Sequence, residues 1–591
     1  MSQHQHLLTA LSADSTALPP TDGALALAGP APSEPSPAFF GEPVPPAQEL
    51  RQRWLPDDPE GLVPLRLIGL AGPRREREGR GGATAIVDTI RTLIRCPLLH
   101  RLATLFPKQE TGRPTPPAAY WLFYGALARE ISSFSQADQE IESHYDLVLA
   151  EFAVQGVTLP AARPGTTNPV PSYPAYNRWR RTHVTKANRF PELLREFTHA
   201  SLELAWLIRD AEGHATGDPL NPSLGEILSG DATVFAPPSS VREETTLDEI
   251  ANQHITTYPG SRARTPQTEK HVRDGRGKPR PHQQGSDYKE HKKHGPTQGF
   301  YHLALSTKGY ATYTRVILDV DIAKRGEAES TAAQPMLDRV LAAAPNHFQA
   351  IAYDGQIYPR HALELMARHG TYVINHNALR SGTRKDEGDG TDATAGISTR
   401  LQGHHKGKTV KTYSTPLRSQ HHQRADGSIC THHLVSDDGA VYPADRAGGT
   451  GTQAKTGPVL APTALRRLWT ETGYRIELEY TIACPHGDQT YRARLTDTKP
   501  KSDGSVAWSS TLAAHRVIPG AWEERFKTAF GARNQSEALY SWLERRYYHK
   551  DRVASWGHDA QLVDLLCAAL LHNAEAWAHY AYRHGTAAGS H

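Results

Sequence analysis

The sequence has few cysteines, no long apolar run and little net charge. Four cysteines among 591 residues are too few for a disulfide scaffold, and so low a number is typical of proteins in the reducing interior of the cell. No basic segment followed by a long apolar run opens the chain, and the most apolar helix candidate, residues 562–571, is too short to span a bilayer. These absences argue against secretion and membrane insertion, and we expect a cytoplasmic protein with no membrane partner.

The motifs of two common enzyme classes are also missing. No Gly-x-Ser-x-Gly nucleophile elbow occurs. Residues 449–456 nearly spell a phosphate-binding loop, but Ala454 replaces the glycine that lets the backbone wrap phosphate. An NTPase is therefore not expected.

The net charge is only +3, yet the basic residues are clustered in the sequence, so local basic patches matter more than the total charge.

The chain is longer than the length at which a single hydrophobic core stops growing, so two or three folded units are expected. Shifts of composition and periodicity divide the sequence into segments. The segments are a disordered Pro/Ala-rich arm (1–82), a helical domain (83–215), the first part of an α/β core (225–375), an inserted β-rich domain (376–520) and a C-terminal helical part of the core (521–582).

Periodicity in the core predicts mixed α/β structure. In order, we expect three strands, a helix, a strand, a helix and a strand, over residues 226–235, 299–306, 311–322, 330–344, 347–353, 359–369 and 371–374. This is the order of an RNase H-like mixed sheet. The basic, histidine-rich stretch 237–298 has no helical or strand period, and is either a nucleic-acid-contacting loop or a plain disordered insertion.

Three acidic residues have placements that suit a metal site. Asp231 lies in the first strand, Asp354 ends the fourth, and Glu537 begins a helix after the insertion. In an RNase H-like sheet the first and fourth strands are neighbours, and Mg²⁺ prefers carboxylate oxygens. Each residue alone also has a structural explanation: Asp231 suits a strand kink, Asp354 a turn and Glu537 a helix-capping box. Asp319 and Asp321, in the third strand, are a substitute for the first position.

Around these positions the sequence resembles DDE-type insertion-sequence transposases, in the branch with a Tyr-x2-Arg-x3-Glu-x6-Lys signature. Asp231-Ala-Thr and Asp354-Gly match the family's two aspartate motifs. Arg533 and Glu537 match the signature, whereas Phe530 replaces its tyrosine and Glu544 its lysine, with Arg545 one residue on. The resemblance covers residues 225–573.

The resemblance implies an RNase H-like core that binds two Mg²⁺ or Mn²⁺ ions through Asp231, Asp354 and Glu537. Arg533 lies one helical turn before Glu537, where it either orients that carboxylate or holds a DNA phosphate, or else forms an ordinary surface ion pair. The resemblance implies that Arg545 supplies the basic residue of the signature. The partners implied are double-stranded DNA, at element ends and target, and further copies of the chain in a homodimer or larger nucleoid-associated complex. Two alternatives stay open: an inactive, domesticated DNA-binding protein, and an RNase H-like nuclease without strand transfer.

Two further clusters carry weaker predictions. Arg178, Trp179, Arg180 and Arg181 suit phosphate contact and stacking on DNA, or equally a solvated helix face with a buried tryptophan. Cys430, His432, Cys484 and His486 could complete a tetrahedral structural zinc site. The spacing matches no strong zinc template, so free residues are the alternative.

Overall fold

The fold is that of a computed structural model, which describes most of the chain in segments. The described residues are 38–39, 42–43, 47–55, 82–107, 115–163, 170–213, 215–235, 271–273, 279–281, 287–291, 295–311, 313–324, 327–353, 359–375, 398–405, 408–416, 420–437, 440–444, 456–470, 473–500, 506–509, 529, 531–533, 537–544, 548–549 and 552–584.

Helices dominate the first third of the chain and its carboxyl end. In chain order they are α1 (Ala47–Trp54), α2 (Gly82–Arg95), α3 (Pro97–Ala103), α4 (Ala118–Ile131), α5 (Phe134–Ser143), α6 (Tyr145–Val154), α7 (Tyr173–Trp179), α8 (Phe190–Glu212), α9 (Glu329–Ala343), α10 (Pro359–His369) and α11 (His558–His584). A π-helical turn, Arg180–Thr185, continues α7, and a 3-10 turn, Leu224–Glu226, precedes the first core strand.

Strands make up most of the middle of the chain. They are β1 (Ala38–Phe39), β2 (Glu42–Pro43), β3 (Ile227–Val234), β4 (His271–Arg273), β5 (Pro279–Pro281), β6 (Asp287–His291), β7 (Gly295–Gly299), β8 (Tyr301–Lys308), β9 (Arg315–Ile322), β10 (Ala350–Tyr353), β11 (Tyr372–Asn375), β12 (Ser398–His405), β13 (Lys408–Pro416), β14 (Gln420–Gln423), β15 (Ile429–Asp437), β16 (Ala440–Ala444), β17 (Pro462–Thr470), β18 (Gly473–Ile482), β19 (Gln489–Pro500), β20 (Val506–Ser509), β21 (Tyr548–His549) and β22 (Arg552–Val553).

The core contains a five-stranded sheet in the order β11-β10-β3-β8-β9. The central strand β3 pairs in parallel with β10 and antiparallel with β8. At the two edges, β11 is parallel to β10 and β9 is antiparallel to β8. The predicted mixed α/β fold with a mixed sheet is therefore confirmed. The near-continuous burial of β8, β9 and β10 shows that both faces of the sheet are covered.

Two helices with apolar residues all around lie at the centre of the helical layer. Almost every residue of α4 and α11 is buried, as expected for helices surrounded by other elements. Asn573 of α11 reaches the edge strand β9, where its amide accepts from the N–H of Ile317 at 2.8 Å and donates to the carbonyl of Ile317 at 2.7 Å. These bonds satisfy backbone groups of an edge strand and attach the carboxyl-terminal helix to the sheet.

The β-rich segment forms two sheets. The first has the order β12-β13-β15-β14 with β16 paired to β15, and the second the order β17-β18-β19-β20. The second sheet packs against the core, because β18 lies against α10. There, a Cβ on Gly473 would lie only 2.6 Å from the carbonyl oxygen of Ala367, so this close approach requires glycine.

The predicted disordered arm is wrong for residues 47–54, which form α1. Leu50 and Trp54 of this helix are fully buried. The indole N–H of Trp54 donates to Glu203 of α8 at 2.9 Å, and the indole of Trp577 in α11 donates to the carbonyl of Trp54. Burial against two distant helices stabilises a segment whose own composition is too polar to fold.

Two other segment predictions differ from the structure. Residues 237–298 were expected to have no regular elements, but they include the backbone hairpins β4-β5 and β6-β7. The C-terminal segment 521–582 was expected to be helical throughout, but β21 and β22 pair before α11 begins. In both places the strands are too short for the alternation of apolar and polar residues to predict them from the sequence.

In the part of the chain that the structure describes, no helix combines the length and apolar character needed to cross a membrane.

Candidate functional site

Asp231 lies in β3, the central strand of the sheet. Its backbone is fixed between two neighbours, because Gly230 pairs with Tyr353 of β10 and Asp231 pairs with Ala304 of β8. The side chain is half-buried, and its carboxylate accepts a hydrogen bond from the N–H of Ala232 at 2.9 Å. A carboxylate on a central strand is held more firmly than one on a loop, as a metal ligand requires.

Asp354 follows Tyr353 in the sequence, where β10 ends. Strands β3 and β10 run parallel, and Tyr353 pairs with Gly230. Asp231 follows Gly230 in the sequence, as Asp354 follows Tyr353. Asp354 itself lies outside the described residues. The proximity of its side chain to Asp231 therefore stays a prediction.

Glu537 lies in the helical residues 537–544, and its side chain is 61% exposed. The nearest cation in the described structure is the guanidinium of Arg533, 3.9 Å away and one helical turn earlier in the sequence. The other face of this helix is buried through Leu539 and Leu543. Glu537 is thus directed to solvent by a helix whose apolar side is fixed to the core. Phe530 and Arg545 of the predicted signature lie outside the described residues.

Tyr540 connects the helix of Glu537 to the strand of Asp231. Its hydroxyl donates to the backbone carbonyl of Asp231 and also lies 3.2 Å from the carbonyl of His302. Residues three apart on a helix are surface neighbours, so Glu537 lies one turn from the residue that contacts β3. Sequence reasoning did not single out Tyr540, although a buried tyrosine one turn after a predicted metal ligand is a usable signal.

A second tyrosine and a further carboxylate lie beside this contact. The ring of Tyr353 lies close enough to the carboxylate of Glu329, at the start of α9, for the charge of Glu329 to act on its hydroxyl. Burial, reinforced by the negative charges of Asp231 and Glu329, raises the pKa of Tyr353 and of Tyr540 well above the ordinary tyrosine value. Both phenols therefore remain protonated donors. Glu329 adds a carboxylate close to Tyr353 and Tyr540 that the sequence did not indicate; Tyr353 pairs with Gly230, so its ring lies on the face of the sheet opposite Asp231.

The substitute pair Asp319 and Asp321 lies on the other face of the sheet. Paired residues on adjacent strands share a face, and Asp231 pairs with Ala304, which pairs with Val320. Asp319 and Asp321 flank Val320 and so face the opposite side from Asp231.

Both of these aspartates are also engaged by one arginine. The guanidinium of Arg339 in α9 lies 2.8 Å from Asp319, which is fully buried, and 3.6 Å from Asp321. Burial raises the pKa of Asp319 to about 7, and Arg339 opposes this shift. Asp319 is buried and paired with Arg339, and Asp321 faces away from Asp231, so the prediction that one of them takes the place of Asp231 is wrong.

The basic-aromatic segment 178–181 divides into two parts. Trp179 is 8% exposed within an aromatic cluster, and Arg180 is buried. The guanidinium of Arg180 bonds to Ser555 at 2.8 Å and to Asp564 at 3.2 Å. The prediction that Trp179 and Arg180 contact DNA is therefore wrong, because both complete the core between α7 and α11. Arg178 and Arg181 are exposed, and their contact with DNA stays a prediction.

Three of the four predicted zinc ligands lie together. The Sγ atoms of Cys430 and Cys484 are 3.6 Å apart, and Sγ of Cys430 is 3.4 Å from Nε2 of His432. Both thiols are free. His486 is exposed and is not part of this group. Among the described residues this is the group of three or more potential metal ligands whose donor atoms all lie within 4.8 Å of one another.

Comparison with known proteins provides no relative. No protein-family model matches the sequence, and no curated protein matches it significantly.

Proposed function

We propose that this chain is a DDE-type DNA transposase, which cleaves DNA at the ends of a mobile element and joins the freed 3′ ends to target DNA. The observation that carries this proposal is the hydrogen bond from the Tyr540 hydroxyl to the carbonyl of Asp231. Through this bond the helical residues 537–544, which include Glu537, lie directly against the strand that carries Asp231, although 309 residues separate Tyr540 from Asp231.

The order of the central sheet supports the same proposal. The resemblance implies an RNase H-like sheet, in which the first core strand lies between the second and the fourth. Here β3, the first strand of the core sheet, lies between β8 and β10, with β10 parallel to it. This arrangement directs the chain after β10, where Asp354 stands in the sequence, toward the same end of the sheet as Asp231.

The donor set fits a hard cation. Asp231 is half-buried on a rigid strand and Glu537 is mostly exposed on a helix, so carboxylate oxygens from two fixed elements remain accessible. In this proposal Asp231, Asp354 and Glu537 hold two Mg²⁺ or Mn²⁺ ions. When bound, such a pair of ions activates the attacking oxygen and stabilises the leaving oxygen of phosphodiester transfer.

The neighbouring residues have distinct roles in this account. Tyr540 positions the helix of Glu537 by donating to the β3 backbone, because its phenol stays protonated. Arg533 orients the carboxylate of Glu537 or binds a DNA phosphate. The carboxylate of Glu329, at the start of α9, adds negative charge close to Tyr353 and Tyr540.

A DNA assay tests the proposal. A plasmid that carries the DNA flanking this gene on both sides would be incubated with the purified chain and Mg²⁺ or Mn²⁺. We expect cleavage at the ends of the element and joining of those ends to a second plasmid. Asp231→Asn and Glu537→Gln should both abolish cleavage while retaining binding of the end DNA.

Asp321→Asn is the matched control, because it removes an acid from the opposite face of the same sheet and should cleave like the wild type. Wild-type rates in Asp231→Asn and Glu537→Gln would contradict the proposed site. Binding without cleavage by the wild-type chain would establish the inactive DNA-binding alternative. Cleavage without joining would establish the nuclease alternative.

A further inference from the structure

A thiol-rich cluster joins the two sheets of the β-rich segment. Cys430 and His432 lie on β15 of the first sheet, and Cys484 begins the turn between β18 and β19 of the second. That turn is closed by a hydrogen bond from the N–H of Gly487 to the carbonyl of Cys484 at 3.0 Å. We propose that Cys430, His432 and Cys484, together with His422, bind a structural Zn²⁺ ion.

The distances between the donor atoms match those of a zinc tetrahedron. With Zn–S bonds of about 2.3 Å and Zn–N bonds of about 2.0 Å, tetrahedral geometry places two sulfurs about 3.8 Å apart and sulfur and nitrogen about 3.5 Å apart. The corresponding distances are 3.6 Å between the two Sγ atoms and 3.4 Å between Sγ of Cys430 and Nε2 of His432. The side chains are therefore spaced for an ion between them.

The types of donor select the metal. Two thiolates and imidazole nitrogen favour zinc over Mg²⁺ or Ca²⁺, which take oxygen ligands. Cys484 is buried and the other two ligands are partly buried, as in structural rather than catalytic zinc sites. This site is thus chemically distinct from the carboxylate site at Asp231 and does not depend on it.

The strand register identifies the fourth ligand. In the antiparallel pair of β14 and β15, His422 lies directly opposite Cys430, and Gln420 lies opposite His432. Directly opposed residues share a face, with their Cβ atoms about 5 Å apart, so His422 projects from the face that carries Cys430 and His432. His422 is partly buried, whereas His486, the fourth ligand predicted from sequence, is exposed in the turn. The ring nitrogens of His422 lie outside the group of donor atoms within 4.8 Å of one another, so a rotation of its side chain must bring it to the ion.

Zinc at this position would stabilise the contact between the two sheets. Cys430 and Cys484 are 54 residues apart, and closing a segment of that length through a metal restricts the unfolded chain. The zinc site thus fixes the turn between β18 and β19 to the first sheet. Since β18 also packs on α10, the ion connects the first sheet of the β-rich segment to the core.

Metal analysis of the full-length chain tests the proposal. Protein purified without chelator should contain one zinc ion per chain by plasma mass spectrometry. Cys430→Ser, Cys484→Ser and His432→Ala should each lose it. His421→Ala is the matched control, because His421 is exposed on the opposite face of β14, where it bonds to Thr431 at 3.0 Å, and this variant should retain zinc.

Replacement of zinc by Co²⁺ tests the site without any substitution. The wild-type chain should give the visible bands of tetrahedral cobalt and the sulfur-to-cobalt charge-transfer absorption of two thiolates. This measurement keeps the proposal testable if a cysteine variant fails to fold. It also reports on the zinc site whether or not the chain cleaves DNA.

The fourth ligand is tested by two further variants. His422→Ala should release zinc to a chromogenic chelator at least tenfold faster than the wild type, and His486→Ala should release it at the wild-type rate. The reverse result would overturn the assignment of His422. Wild-type protein without zinc and without tetrahedral cobalt bands, or zinc retained in both cysteine variants, would overturn the site itself.

Discussion

Gly230 precedes Asp231 on β3 and determines what can lie across the strand. A Cβ at this position would lie 2.5 Å from Cδ2 of Leu305 and 2.6 Å from Cε2 of Tyr353. Both are closer than non-bonded carbons approach, so the absence of a side chain creates the space for the Tyr353 ring. Glycine is required here by close packing rather than by an unusual backbone angle. It allows the Tyr353 ring to pack across β3 on the face of the sheet opposite Asp231.

We predict that Gly230→Ala destabilises the chain and displaces Tyr353. Overpacking of this kind typically costs about 1–3 kcal/mol, which a scanning calorimeter detects as a lower unfolding temperature. Gly531→Ala is the matched control, because a Cβ there meets no atom within 4 Å, and it should unfold at or above the wild-type temperature. Equal unfolding temperatures for Gly230→Ala and the wild type would contradict the packing described at β3.

His302, on β8 next to the Tyr540 contact, provides a pH-dependent test. Burial, with a smaller contribution from the neighbouring His558, lowers the pKa of His302 to about 3 from the ordinary value of 6.5. The folded chain therefore keeps this imidazole neutral while the unfolded chain takes up a proton below pH 6.5. The stability due to the neutral form is complete above pH 6.5 and is lost progressively as the pH falls toward 3.

We predict that His302→Gln, which cannot titrate, weakens this acid sensitivity. Relative to the variant, the wild-type chain should lose about 2 kcal/mol of unfolding free energy between pH 7 and pH 5, since the cost is 1.36 kcal/mol per pH unit below 6.5. The measurement is the difference in unfolding temperature between the two proteins at each pH. Parallel curves would show that His302 is not held neutral by the fold.

At the scale of elements, α7 and the π-helical turn after it combine core packing with an exposed basic surface. Trp179 and Arg180 are buried, and Arg180 bonds to Asp564 of α11. Arg178 and Arg181 are exposed on either side of them. The regular helical period of 3.6 residues does not predict which of these four side chains are buried, because the π-helical turn changes the direction in which successive side chains point. Arg178 and Arg181 therefore present two cations to solvent, whereas Trp179 and Arg180 pack between α7 and α11.

We predict that Arg178→Ala and Arg181→Ala weaken binding to duplex DNA without changing the unfolding temperature. Removal of one arginine–phosphate ion pair should reduce the slope of log K against log salt by about 0.9, because fewer counterions are released. Titrations at several salt concentrations measure this slope. Arg180→Ala should instead lower the unfolding temperature, since it leaves Asp564 buried with one fewer partner. An unchanged salt slope in both exposed-arginine variants would exclude this surface from DNA binding.

At the scale of the whole molecule, local pattern predicts elements better than it predicts their partners. The alternation of strands and helices between 225 and 375 predicts the mixed sheet, because β8, β9 and β10 carry strong apolar and β-branched signals. Helix α1 is not predictable in this way. It has two large buried residues, and their burial depends on α8 and α11, the latter 523 residues away at Trp577.

The candidate sites show the same limit. The residue types of Asp231, Glu537 and the Cys/His group are visible in the sequence, but their neighbours are not. Tyr540 contacts the backbone of Asp231 only through the tertiary fold, and the proposal of His422 in place of His486 as a zinc ligand depends on the register of β14 with β15. Sequence spacing places His486 near Cys484, whereas the turn directs it to solvent. Long-range contact therefore decides which of several chemically suitable residues belong to a site.

The central claim is that Asp231 and Glu537 hold catalytic divalent ions together with Asp354. Iron-directed cleavage of the backbone tests it most directly. Fe²⁺ replaces Mg²⁺ at oxygen-ligand sites, and with ascorbate and peroxide it generates radicals that cut nearby peptide bonds, which mass spectrometry locates. The account predicts cuts beside Asp231 and Glu537 that excess Mg²⁺ or Mn²⁺ suppresses and that Asp231→Asn or Glu537→Gln eliminates. Cuts confined to other segments, or cuts unchanged in both variants, would contradict it.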